Sequence, residues 1–360
     1  MNIEEWLDIS KSNLSDLLSQ YCVVNKELLK LDEIEKWEYQ DFINFVQQRI
    51  PSRLYKYFPN KFDNNNFNYS IDALKENSVY LSFPKVFDDI YDSDISISFE
   101  EFTHFRLLEY CQRTNIDVSE SLSTDIIATR LLNKLKSCHP LINAFDSSNC
   151  SEIENLANEL FCERMNIQSC TMESLCNVMK AEYKYCLEDL KNTFKTTCFA
   201  TNPYSQLMWG GSYGNKHKGF CIEYTVSKDD KFKVIYENLF PLVYSKVRSR
   251  MEKEFINQID TFPSVDNLKN IYIHGALRKS IDWSFQNEWR LLLVEGMPEM
   301  KDSKVDFFPI SKVFIGCRMG EKERNEIINI CEEKGIECVG VRKRQDIFEM
   351  EEFEIKHYYK

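Results

Sequence analysis

TCFATNPYSQLMWGGSYGNKHKGFCIEY, residues 197–224, sets the frame for the whole chain. Thr197–Thr201 at its start and Gly219–Tyr224 at its end are short apolar runs bounded by turn residues, the pattern of buried strands. Between them, a turn at Pro203 leads into a brief segment carrying Met208, Trp209 and Tyr213, and a Gly/Asn/Lys/His turn follows. Large aromatics beside Gly210, Gly211 and Gly214 suit the wall of a cleft, because glycine admits close approach and rings offer flat surface. They suit the core of an ordinary loop equally well.

Downstream, Ile281–Val294 (IDWSFQNEWRLLLV) reads as a polar turn feeding a strand that begins near Asn287. The two-residue strand period puts Glu288 and Arg290 on one face, with Trp289 and Leu291 on the other. Charges entering so apolar a strand need partners, since burying one unpaired is costly. A structural ion pair and a catalytic carboxylate both meet that need. Lys233–Tyr244 reads as two short strands broken near Asn238, with Pro241 at a sheet edge. Arg248–Lys279 reads as helix, interrupted at Pro263, with Arg248, Arg250, Lys253, Arg278 and Lys279 on a solvated basic face. The C-terminal part forms a βαβ-like unit: strand Lys312–Gly316, amphipathic helix Gly320–Lys334 stopped by Gly335, then strand Ile336–Val341. Phe348–Ile355 extends it as an edge, and the Gly316–Met319 turn offers a helix N-terminus to a phosphate.

Upstream, Ser52–Phe58 (SRLYKYF) alternates Arg53, Tyr55 and Tyr57 against Leu54 and Lys56, as a strand does. Ser70 is a suitable N-cap for a short helix, and Val79–Phe83 reads as a strand. Asp88, Asp89, Asp92 and Asp94 lie close together, yet their spacing matches no calcium loop and turns attract aspartate anyway, so no metal is expected. Residues 2–49 read as helical, with Trp6, Leu7, Leu14, Leu17, Leu18 and Tyr21 at three- and four-residue steps, until Pro51 ends the pattern. Glu101–Thr196 is helical in periodicity and has no glycine, which marks a helical insertion between strand-rich parts.

The chain has 360 residues, 13 cysteines and a net charge of −12. That charge repels phosphate backbones and argues against non-specific nucleic-acid binding. The cysteines sit singly, without a CxxC pair, and no signal-like apolar run precedes them, so reduced thiols in a cytoplasmic protein are expected. No apolar stretch is long enough for a membrane span. P-loop, dinucleotide-binding, nucleophile-elbow and zinc motifs are all missing.

Taken in order, LYKY at 54–57, SIDALKENSVYLSFPKVFDDIYD at 70–92, TCFAT…LMW…HKGFCIEY, NEWRLLL and KVFIGCRMG resemble an uncharacterised bacterial family, a domain of unknown function. Its pattern is a Tyr-Lys-Tyr start, a Met-Trp…His-x-Gly-Phe centre and a Glu-Trp-Arg strand. Two departures stand out: Asp88-Asp89-Ile90-Tyr91 replaces Asn-Asp-Pro-Phe, and Ser212, with one residue inserted, replaces the His before the central Tyr. That layout is more distantly similar to ADP-ribosyltransferase toxins. The resemblance implies NAD as cofactor, Arg53 or Lys56 near its pyrophosphate, and Tyr55 or Tyr57 with Trp209 or Tyr213 against the nicotinamide. Glu288 would be the catalytic carboxylate, with Arg290 also in the NAD site. A carboxylate on the ribose hydroxyls stabilises an oxocarbenium-like state, as in glycoside hydrolysis.

The expectation is a mixed α+β chain: a twisted, mainly antiparallel, ADP-ribosyltransferase-like sheet core with an N-terminal helical cap (1–50) and a helical insertion (101–195). The core would comprise 51–100 and 196–360. The expected function is an NAD-dependent ADP-ribosyltransferase or NAD-consuming effector, in phage defence or a toxin system, with an unidentified macromolecular acceptor. The alternative is a non-enzymatic module that binds a nucleotide or peptide and keeps Glu288 and Arg290 as a structural ion pair.

Overall fold

A computed structural model of the chain describes residues 19–34, 36–37, 39–87, 89–93, 98–142, 171–248, 275–294 and 297–355. The chain divides into two compact units, Met1–Asp94 with Lys191–Arg248 and Gly275–Lys360, and Ile95–Leu190 with Ser249–His274. In order, the elements begin with β1 (Tyr21–Val24), β2 (Glu27–Lys30), α1 (Leu31–Ile34), α2 (Tyr39–Gln47), β3 (Arg53–Phe58), α3 (Tyr69–Glu76) and β4 (Ser78–Tyr80). Helices α4 (Phe99–Arg113), α5 (Thr124–Ile142) and α6 (Met172–Leu190) follow, then β5 (Phe194–Phe199), α7 (Gln206–Gly210) and β6 (Phe220–Thr225). Next come α8 (Lys233–Glu237), β7 (Leu239–Pro241), β8 (Val243–Ser245), β9 (Arg278–Ser280) and β10 (Trp289–Val294). The chain closes with β11 (Lys304–Asp306), β12 (Ile310–Gly316), α9 (Glu321–Lys334), β13 (Glu337–Lys343) and β14 (Met350–Phe353).

The first unit is mixed α+β, with several sheets in place of one continuous core. Their strand orders are β14-β13-β12-β6-β3, β2-β1-β8-β9, β5-β10-β7 and β11-β4. Among the described residues only β12/β13 and β8/β9 pair in parallel. The parallel β12–α9–β13 unit forms as its sequence predicts, because Gly335 adopts φ +65° and ends the helix there. Two sheets meet where Tyr55 and Ala200 exchange backbone hydrogen bonds of 2.9 and 2.7 Å. That bridge brings β3 against the end of β5 and creates the site described below. Leu54, Phe199, Phe220, Trp209, Trp289 and Phe314 are among the buried core residues around it.

The helical reading of the N-terminal part fails at Tyr21–Lys30, which is a β-hairpin. Asn25 and Lys26 turn it with φ of 49° and 68°, the left-handed geometry that matches strand twist in a two-residue loop. Cys22 and Val24 are buried at a period of two, and β1 continues the sheet by pairing with β8. A tertiary partner therefore outweighs the helical spacing. Trp6 to Leu18 lie outside the described residues. Lys233–Glu237 is helix where a strand is expected, while Pro241 does lie on an edge strand, β7. Arg278 and Lys279 belong to a strand, and residues 249–274 of the expected basic helix lie outside the described residues. Asn68, not Ser70, caps α3, accepting from the backbone N–H groups of Ser70 and Ile71.

The second unit packs α4, α5 and α6 through Leu107, Leu131, Leu135, Leu175 and Met179. Inside it, Glu182 accepts from Arg106 Nε at 3.0 Å and from the Tyr110 hydroxyl at 2.5 Å.

Candidate functional site

The first unit holds a cavity of about 280 Å³ between β3, β5, the loop after β4 and the turn before β10. Tyr55, Tyr57, Tyr80, Phe87, Phe199 and Tyr213 give it ring surfaces. Ser82, Thr196, Thr197, Lys56, Asp89 and Glu288 give it polar atoms. A concave, ring-lined cavity with a few converging polar groups is the usual form of a small-molecule site.

One wall is a closed charge cluster. Arg290 is fully buried on β10 and donates from Nε to Glu288 Oε1 at 2.6 Å. Its Nη1 and Nη2 grip Asp92 at 2.7 and 2.6 Å. Nη1 also reaches Ser93 Oγ and the Ala276 carbonyl. Lys279, on β9, lies 3.0 Å from Glu288 and 3.2 Å from Asp92, and donates to Gln286 Oε1 at 3.0 Å. Gln286 passes the network on, donating to the Tyr213 hydroxyl at 3.1 Å. Two carboxylates thus meet two cations, and the cluster is neutral as a whole. Burial alone would raise Glu288, but the charges of Arg290 and Lys279 more than offset it and hold it below the ordinary carboxylate range. Asp92 is likewise held down against its burial by Arg290 and Lys279. Burial would lower Lys279, yet the carboxylates raise it.

The part of the lining around Lys56 is built differently. Lys56 Nζ donates to Thr197 Oγ1 at 2.7 Å and to the Cys198 carbonyl at 3.1 Å, both neutral acceptors. The rings of Phe199 and Phe58 lie 5.3 and 5.8 Å from it. No described carboxylate pairs with it, and burial pushes its amine below the usual lysine value, only partly resisted by Cys198 and Glu288. Beside it, burial lifts the Cys198 thiol to about 12. Two oxygens of the lining have no partner among the described residues: Oγ1 of the fully buried Thr196, and Oδ2 of Asp89.

Of the residues singled out in the sequence, Tyr55, Lys56, Tyr57, Tyr213 and Glu288 come together on the cavity. Arg290 sits behind Glu288. Arg53 does not line it: it lies at the surface, 3.0 Å from Glu223. Trp209 is also not part of the lining. It is fully buried, donates from Nε1 to the Pro203 carbonyl at 2.7 Å, and packs edge-on to Tyr57 and face-on to His217. Gly214 serves this packing, since a Cβ there would come within 2.6 Å of the Trp209 backbone. Gly211 and Gly214 thus admit protein backbone, and Met208 and Tyr213 face the cavity in place of Trp209.

Sequence reasoning missed Asp92, Lys279 and Gln286 as one cluster. Asp92 stood in a recognised run of aspartates, but nothing in the sequence links it to Arg290, 198 residues away. Asp88 and Asp94 lie outside the described residues. Among the described residues no group of His, Cys, Asp and Glu is arranged to hold a metal, and no helix is long and apolar enough to cross a membrane.

Residues 208–291 match a family model described as a protein of unknown function, DUF2971. The match spans the segment from Met208 to Leu291 and agrees with the resemblance to an uncharacterised family. It carries no link to ADP-ribosyltransferases. No curated protein and no solved structure matches the chain.

Proposed function

We propose that the first unit is a small-molecule-binding module whose cavity accepts a nucleotide-type ligand, with Glu288 and Arg290 maintaining its wall. The observation that carries this reading is the engagement of both Glu288 oxygens, Oε1 by Arg290 and Oε2 by Lys279. A carboxylate committed to two buried cations holds structure. The remaining lining offers what a planar base or nicotinamide ring needs: aromatic faces at Tyr55, Tyr80, Phe87 and Tyr213, and oxygens on Thr196 and Asp89 for its polar edge.

A second reading, cleavage of NAD, is favoured by one fact: Glu288 borders the same cavity as Lys56 and Tyr213. For Glu288 to stabilise an oxocarbenium-like ribose, a ribose hydroxyl would have to replace one of its two cations. Such a role predicts a loss of at least ~10²-fold on its removal.

Calorimetry with NAD, AMP and ATP, together with nicotinamide release, on wild type and Glu288→Gln separates the two. The expected result is nucleotide binding by the wild type without nicotinamide release. Glu288→Gln should be less stable by about 3–5 kcal/mol, because Arg290 and Lys279 are left buried with one carboxylate fewer. Turnover by wild type alone, with equal melting temperatures, gives the site to NAD cleavage. Wild type that binds none of the three nucleotides removes both readings.

A further inference from the structure

The two lysines of the cavity are held in opposite ways, and the difference has chemical consequences. Lys279 faces two carboxylates and the oxygen of Gln286. Three acceptors suit the three N–H donors of an ammonium group. Lys56 meets only Thr197 Oγ1 and the Cys198 carbonyl. Two acceptors suit the two N–H donors of a neutral amine, and they leave its lone pair over. Beyond those two oxygens only the Phe199 and Phe58 rings lie near Nζ among the described residues, at 5.3 and 5.8 Å, and Lys56 lines the cavity.

We infer that Lys56 is a nucleophilic amine that captures a small carbonyl compound bearing hydroxyl groups, such as an open-chain aldose or its phosphate, as an imine. The Nζ lone pair attacks the carbonyl carbon, and a proton from nitrogen passes to the carbonyl oxygen. The resulting carbinolamine then gives up its remaining N–H proton to that oxygen, expels it as water and leaves a C=N bond. One water is released per adduct, and no oxidant or reductant takes part. A lysine desolvated in an apolar pocket is a recognised way to activate such an amine. The groups that face Lys56 and set its protonation are Cys198, Glu288 and the Thr197 hydroxyl. Burial dominates them and favours the neutral form. The hydroxyl groups of the ligand are assigned to Thr196 Oγ1 and Asp89 Oδ2, the two lining oxygens without partners among the described residues.

This inference shares with the proposed function only the premise that the cavity admits a ligand. Its test is reductive trapping: the full chain is incubated near neutral pH with glycolaldehyde or ribose 5-phosphate and sodium cyanoborohydride, and modified lysines are mapped by mass spectrometry. Lys56 should be labelled faster than the median lysine, because burial favours its neutral, nucleophilic form. In urea-unfolded protein that preference should vanish. Lys56→Arg should lose the fast adduct and keep slow labelling elsewhere. Labelling of Lys56 no faster than surface lysines overturns the inference. If NAD, AMP or ATP binds while Lys56 stays unlabelled, the nucleotide reading survives and the amine chemistry falls. If Lys56 is labelled fast while no nucleotide binds, the reverse holds.

Discussion

Two walls of one cavity show two solutions to burying charge. On one, Asp92, Lys279, Glu288 and Arg290 balance to neutrality, with every pair at 3.2 Å or less. On the other, Lys56 is held by two neutral oxygens. Buried ion clusters seldom add net stability over well-packed apolar residues, yet removing one member is severe because its partners remain buried and unmatched. A half-buried lysine held only by neutral oxygens has the opposite economy, since its removal relieves a desolvation cost. The lesson is that residue type and burial do not fix a role. What decides is whether each donor has a charged acceptor. The second unit makes the same point, since its Glu182, gripped by Arg106 and Tyr110, needs only structure to explain it.

The comparison breaks most readily at Arg290. Arg290→Met leaves Asp92 and Glu288 beside Lys279 alone, and it should cost about 3–5 kcal/mol in urea unfolding. A loss below about 1 kcal/mol would mean that the cluster is not the rigid wall described. A milder probe is acid. Asp92 and Glu288 are both held below the ordinary carboxylate range, so their contribution is fully present above the unfolded value near ~4 and is lost as pH falls through the lower folded values. The melting temperature should therefore drop steeply below pH ~4, and Arg290→Met should flatten that drop. The smallest effect, and the sharpest in sign, is at Lys56. Its folded value is depressed, so the unfolded chain binds the extra proton and stability rises with pH as the amine discharges. Lys56→Met should raise the melting temperature by on the order of 2 °C near neutral pH, whereas Lys279→Met should lower it. The same sign for both lysines would erase the distinction between the walls.

Much of this was legible in the sequence. The strands around Met208 and Tyr213, the C-terminal βαβ unit and the shared face of Glu288 and Arg290 all follow from local apolar period and turn residues, which act within a few positions. Tyr55, Lys56, Tyr57, Tyr213 and Glu288, singled out in the sequence, all line one cavity. The hairpin at Tyr21–Lys30 was not legible, because its strand identity depends on β8, more than 200 residues on. Lys279 was misread as part of a basic helix for the same reason, since β9 exists through its pairing with β8.

By itself, the sequence determined which stretches are apolar enough to be buried and that a glutamate and an arginine enter the core together. Only the tertiary structure decided that Asp92 and Lys279 complete their cluster, that Trp209 belongs to the core and Tyr213 to the cavity, and that Lys56 pairs with no carboxylate among the described residues. Periodicity is a property of neighbouring residues, whereas charge matching is set by groups that chain folding brings within about 3 Å of one another.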